Sequence, residues 1–134
     1  MKLLTGKKKS SPPAPGKASQ PLVDLASESW RFSQTLSGCL SCMDPLDADR
    51  LANRYAWYSR KVQAVLEEAG LTAVDLTGQI YDAGMAVTPL NLEDFPPHAG
   101  AAFRIAQMVE PIIMENGTVR KTGSVMLSED TEAL

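Results

Sequence analysis

Phe103-Arg-Ile-Ala-Gln-Met-Val-Glu-Pro-Ile-Ile-Met114 and Thr118-Val-Arg-Lys-Thr-Gly-Ser-Val-Met-Leu127, joined through Asn116-Gly117, decide the fold of this chain. An Asn-Gly pair between two apolar runs is the signature of a type I′ turn, whose two central residues both need positive φ. Both arms are rich in β-branched and large apolar residues, so each reads as a strand. Pro111 has no N–H to give to a ladder and belongs at an edge or a bulge. Gly123 marks a second bend, which divides the downstream arm into 118–121 and 124–127.

Working outward, the segments before the hairpin are loop and short strand. Leu71–Asp82 has apolar residues at every second or third place and a turn at Gly78. Met85–Leu92 reads as a short strand entering a loop, and 93–102, with Pro96-Pro97 and Gly100, as an exposed loop. After the hairpin, 128–134 is acidic and expected to fray.

The N-terminal half has helical periodicity. Leu22, Leu25, Phe32, Leu36, Cys39 and Met43 form one stripe over 22–43. A second helix is signalled by Asp44 as N-cap, Pro45 at the first helical position and Asp47 in the first turn. Leu51, Tyr55, Tyr58, Val62, Val65 or Leu66, and Ala69 line its face, and Gly70 ends it as a left-handed residue. Such a helix is a rod of about 36 Å. Two helices of this kind form an antiparallel hairpin whose apolar stripes cover each other only in part. A homodimer is the economical way to cover the rest, with Leu25, Phe32, Leu36, Leu51, Tyr55, Tyr58 and Val62 at its interface.

The fold class is therefore α+β, a long dimerising helical hairpin followed by a small antiparallel β domain. Residues 1–20 are a basic Pro/Ser tail expected to be disordered, 21–70 the hairpin, 71–128 the β domain and 129–134 a frayed tail. The tail is either a basic interaction arm or a solubilising leader.

Composition narrows the function. The 134 residues are 44% hydrophobic and 22% charged, as in ordinary globular proteins. The first 19 residues hold five lysines and no acid, and the rest holds eight basic against sixteen acidic residues, a formal −8. Such a body is poorly suited to nucleic acid. No apolar run reaches the length that spans a bilayer. Met1-Lys-Leu-Leu4 opens like a signal peptide, but Thr5-Gly-Lys-Lys-Lys9 interrupts it, so the expected location is cytoplasmic.

Chemistry-bearing motifs are sparse. Cys39 and Cys42 read first as small buried residues. Zinc shared across a dimer axis and a redox dithiol are the alternatives, although the C-terminal end of a helix opposes a thiolate. His98, the only histidine, sits in a Pro-Pro-His-Ala-Gly loop without a positioned partner. Tyr81-Asp82 reads as a Tyr beside a turn Asp. Trp30, Tyr55, Trp57 and Tyr58 read as core or interface packing. There is no phosphate loop, dinucleotide fingerprint or His-Glu-x-x-His. No enzyme, cofactor or metal is expected.

The order of elements carries a resemblance. Leu66-Glu-Glu-Ala-Gly-Leu71, Val74, Gly78, Tyr81-Asp82 and Ala86-Val87 resemble the helix-to-β junction of GrpE-type nucleotide exchange factors. Gln107-Met-Val-Glu-Pro111 and Asn116-Gly-Thr-Val-Arg-Lys-Thr-Gly-Ser-Val-Met-Leu127 are similar to that family's closing β block. Lys121 stands at the family's Arg position, Thr122-Gly123 at its Pro-Ala, and Val125 and Leu127 at its alternating valines. The family's His-Glu before the Ala-Val is missing, Pro111-Ile-Ile113 replaces its Gly-Tyr, and its very long paired helix is absent. The resemblance implies a divergent, shortened homodimeric cochaperone that binds the ATPase domain of a DnaK-type chaperone and promotes ADP release. Met108, Val109, Glu110, Lys121, Val125 and Leu127 would make the contact. A dimeric adaptor presenting its β domain to an unrelated partner is the alternative.

Overall fold

The computed structural model describes residues 18–95 and 102–130. The basic tail up to residue 17, the loop with His98 and the last four residues lie outside the described residues. Two helices precede six short strands, an α+β arrangement.

Helix α1, Gln20–Leu40, starts with Pro21 in its first turn and keeps its hydrogen bonding through Gly38. It stops three residues short of the expected Met43. Ser41 Oγ donates to the Gly38 carbonyl (2.8 Å) and the Cys42 amide to the Cys39 carbonyl (3.0 Å), closing a tight turn. Helix α2, Pro45–Glu68, has the expected cap, with the Asp44 carboxylate accepting from the Leu46 amide at 3.2 Å. It ends at Gly70, whose φ of 78° needs a residue without Cβ. Val23 and Ala26 near the start of α1 meet Leu66 near the end of α2, so the helices run antiparallel.

The strands are β1 (Leu71–Val74), β2 (Val87–Pro89), β3 (Phe103–Glu110), β4 (Ile112–Glu115), β5 (Thr118–Lys121) and β6 (Gly123–Glu129). They form two three-stranded sheets. The first has the order β1-β4-β5 and is antiparallel throughout. The second has the order β2-β6-β3, in which β3 is antiparallel and β2 parallel to β6. The expected single antiparallel sheet is thus corrected to two, one of them mixed. The parallel pair arises because β2 reaches β6 from the far side, after a chain crossing that no local pattern announces.

The long hairpin explains the division. Asn116 and Gly117 turn with φ of 50° and 86°, both positive as the type I′ turn requires. The two arms then leave the first sheet at the same level, one at Pro111 and the other at Gly123. Beyond that level they pair again as β3 and β6. A Cβ on Gly123 would lie 2.7 Å from the Glu110 carbonyl oxygen, so the crossing point admits only glycine without movement. Register shifts between Ile105 and Gln107 and between Met108 and Glu110 place bulges in β3.

Side chains close the open ends. Asn91 receives the Leu127 amide on Oδ1 (2.9 Å) and donates Nδ2 to the Leu127 carbonyl (3.0 Å), prolonging the β2 pairing after Pro89. Residues 78–81 lie along the other edge, with Gly78 N–H donating to Ile105 (2.8 Å) and Tyr81 N–H to Phe103 (2.7 Å). Asp130, buried, takes a 3.1 Å ion pair from Arg104. Glu129 is strand and Asp130 is held by this pair, where fraying was expected. There are two cores. Val23, Ala26, Leu66, Leu71 and Ile113 join the hairpin to the first sheet. Val87, Ile105, Met108, Ile112, Val125 and Leu127 fill the second, with Trp30 of α1 packed against them.

Candidate partner-binding surfaces

The first candidate surface is the outer side of the helix pair. Tyr55, Val62 and Leu66 of α2 turn inward, with Val62 and Leu66 in the first core and Tyr55 lining a cleft of about 220 Å³ between the helices. Leu36 is buried and Leu51 half-buried. Leu25 and Phe32, two turns apart, and Tyr58 and Val65, also two turns apart, are each about half exposed (48–57%). At about 100° per residue, Leu25 and Phe32 share one face of α1, and Tyr58 and Val65 share one face of α2. The seven expected interface residues thus split into an inward set, which closes the hairpin on itself, and an outward set of Leu25, Phe32 and Tyr58. Val65 joins the outward set, the choice between Val65 and Leu66 being settled by Leu66 turning into the core.

The second candidate lies where α1 meets β3. A groove of about 370 Å³ is lined by Glu28, Trp30, Arg31, Phe32, Gln34 and Thr35 from the helix and Gln107, Met108 and Val109 from the strand. Of the six residues expected to contact a partner, Met108, Val125 and Leu127 are buried in the second core. Alternation along β6 turns Val125 and Leu127 inward together, while Met108, mostly buried, also lines the groove. Val109, Glu110 and Lys121 are half-buried. Ser124 Oγ donates to a Glu110 carboxylate oxygen at 2.9 Å, tying that side chain across the β3–β6 pair.

The remaining motifs are dispersed. Cys39 and Cys42 are exposed at the turn joining the helices, contrary to the buried reading. Among the described residues, no three His, Cys, Asp or Glu converge to hold a metal. Asp82 accepts from the Gly84 amide (3.3 Å), the turn arrangement expected of it. Trp30 is packed into the core as expected, whereas Trp57 is 60% exposed and carries Lys61 Nζ 5.5 Å from its ring centroid. Sequence reasoning missed the α1–β3 groove, because its two walls are some seventy positions apart in the chain.

A buried anchor ties the two units together. Glu115 accepts from Arg120 (2.7 Å) and from the Ala18 amide, and Arg120 also donates to the Ala18 carbonyl (2.7 Å). The start of α1 is thereby bound to the β4–β5 hairpin. No helix among the described residues is long and apolar enough to cross a membrane. No family model matches the chain, and neither the curated proteins nor the solved structures yield a match.

Proposed function

We propose that the chain is a nucleotide exchange cochaperone that acts as a homodimer on the ATPase domain of a DnaK-type chaperone. The observation that carries the reading is the joint at Gly70. Helix α2 and strand β1 are separated by two residues, and the Gly70 carbonyl accepts the Asn116 amide from the tip of the hairpin at 2.9 Å. With the Glu115–Arg120–Ala18 anchor, this makes the β unit a head held fast on a helical base. The sequence likeness to the GrpE-type junction and closing block spans this same joint.

A factor of this kind needs no contact with the nucleotide. It binds the open, nucleotide-poor cleft more tightly than the closed one, and by linkage it weakens ADP to the same degree. A coupling of roughly 3 kcal/mol corresponds to about a hundredfold. A head that yielded would dissipate that coupling in its own deformation, which is why a firm joint matters. Val109, Glu110 and Lys121, which are not in the core, are the residues assigned to contact. The outward Leu25, Phe32, Tyr58 and Val65 are assigned to the dimer.

Stopped-flow release of labelled ADP from DnaK-type proteins of the same genome tests the reading. Acceleration that grows with cochaperone concentration is expected with one of them. No acceleration with any of them overturns it and leaves the adaptor alternative.

A further inference from the structure

The cations of this chain are unevenly placed. Residues 18–130 contain eight Lys and Arg. Arg31, Arg104 and Arg120 are ion-paired inside the chain, to Glu28, Asp130 and Glu115. Four others, Arg50, Arg54, Arg60 and Lys61, gather within twelve positions of α2, and none has an ion-pair partner among the described residues. No acid interrupts the sequence from Arg50 to Leu66.

Arg50, Arg54, Trp57 and Lys61 follow one another at spacings of four, three and four, so they share a single face of α2. That face is opposite the one carrying Tyr55, Val62 and Leu66, and its members are exposed. Leu46, also 60% exposed, extends it toward the start of the helix. It borders the Tyr58 and Val65 stripe, with Arg54 and Lys61 each one turn from a member of it. The Lys61 ammonium lies over the Trp57 ring, 5.5 Å from its centroid.

We propose that this face docks an acidic peptide segment of a partner protein, with Trp57 as the apolar anchor and Arg50, Arg54 and Lys61 receiving carboxylates. Trp and Arg are the residue types that dominate protein–protein hot spots. Arg50 to Lys61 spans about 16 Å of helix, enough for two to three turns of a partnering acidic helix. The chain's net charge of −3 selects among anions. An extended polyanion, whether nucleic acid or lipid surface, meets the repulsion of the whole acidic body. A short peptide is governed by charges within a Debye length of about 8 Å, and from Arg50 to Lys61 the helix carries four cations and no acid.

Fluorescence anisotropy on the full chain tests this, with a fluorescein-labelled peptide of glutamates carrying one leucine per helical turn as the probe. Saturable binding is expected, weakened about tenfold or more by W57A, as for an interface hot spot. R54E/K61E is expected to abolish it, and raised salt to weaken it. Both variants alter exposed positions only, and unchanged circular dichroism of each shows that the fold is retained. Absence of binding, or binding that W57A leaves unchanged, overturns the proposal. So does tighter binding of a single-stranded RNA or of phosphatidylserine vesicles under the same conditions.

Discussion

The amide of Asn116, at the tip of the β hairpin, donates to the carbonyl of Gly70, the residue that ends the second helix, at 2.9 Å. Gly70 has φ of 78°, and a Cβ placed on it would run into the Asn116 side chain. Gly70→Ala therefore combines left-handed strain with a clash, for a loss of about 2–3 kcal/mol. Asn116→Gly is compatible with the local φ of 50° and removes the obstructing amide. In a double-mutant cycle followed by urea unfolding, the pair G70A/N116G should cost less than the sum of its members. Strict additivity would show that the two residues do not oppose each other sterically.

Gly123 sits where both hairpin arms change sheets. Its Cβ would lie 2.7 Å from the Glu110 carbonyl oxygen and 3.2 Å from the Ile112 nitrogen, both backbone atoms that cannot swing aside. Gly123→Ala is expected to destabilise by about 1–3 kcal/mol, as other overpacked sites do. Thermal unfolding measures it. An unchanged midpoint would mean the crossing of the two sheets is looser than described.

These two glycines illustrate which parts of the fold a sequence can carry. Asn116-Gly117, Gly70 and the Asp44-Pro45 cap are local devices, each encoded within a few residues, and each was legible. The bend at Gly123 was legible too. What it does, passing one arm between two sheets, depends on Pro111 across the hairpin and on β2 arriving from thirty-odd positions upstream. Burial followed the same division. Helical spacing grouped Tyr55, Tyr58 and Val62, but only packing against α1 and β1 decides which turn inward. Val125 and Leu127 alternate as a strand face should, and the side they face was fixed by Ile105 and Val87, far away in sequence. The α1–β3 groove had no local signal at all.

Arg120 is 23% exposed at its side chain and Glu115 only 4%, so their 2.7 Å pair is largely sheltered from solvent. Arg120→Met removes the 2.7 Å ion pair and the donor to the Ala18 carbonyl while leaving the Glu115 carboxylate in place. A cost of about 3 kcal/mol is expected, near the lower end for breaking a buried pair. Amide exchange in the first turn of α1 should accelerate with it, because the anchor at Ala18 is weakened. Loss of global stability without that local change would place the effect elsewhere. The Arg31–Glu28 pair, exposed on both sides, should be dispensable by comparison.

Ser27 of α1 is fully buried, and its hydroxyl has no hydrogen-bond partner among the described residues. Folding removes that hydroxyl from water without recompense. Ser27→Ala keeps nearly the same volume and deletes the orphaned group, so it should be neutral or stabilise by up to about 1 kcal/mol. A clear destabilisation in urea unfolding would indicate that the hydroxyl is satisfied in solution.

The outward stripe bears on assembly. Leu25, Phe32, Tyr58 and Val65 each leave about half their surface in water. Burying the exposed half of such a side chain is worth roughly 1 kcal/mol, so four from each of two copies supply about 8 kcal/mol before the cost of association. That cost is of the same order, and it makes the self-association reversible and concentration-dependent. Phe32→Glu and Val65→Glu, on different helices, place a charge in the seam without disturbing either core. Each should shift sedimentation equilibrium toward the monomer while preserving helix content. Trp57→Ala, on the neighbouring face, should leave the equilibrium where it was. A wild-type chain that sediments as a monomer at high micromolar concentration would remove the dimer, and with it the role assigned to this stripe.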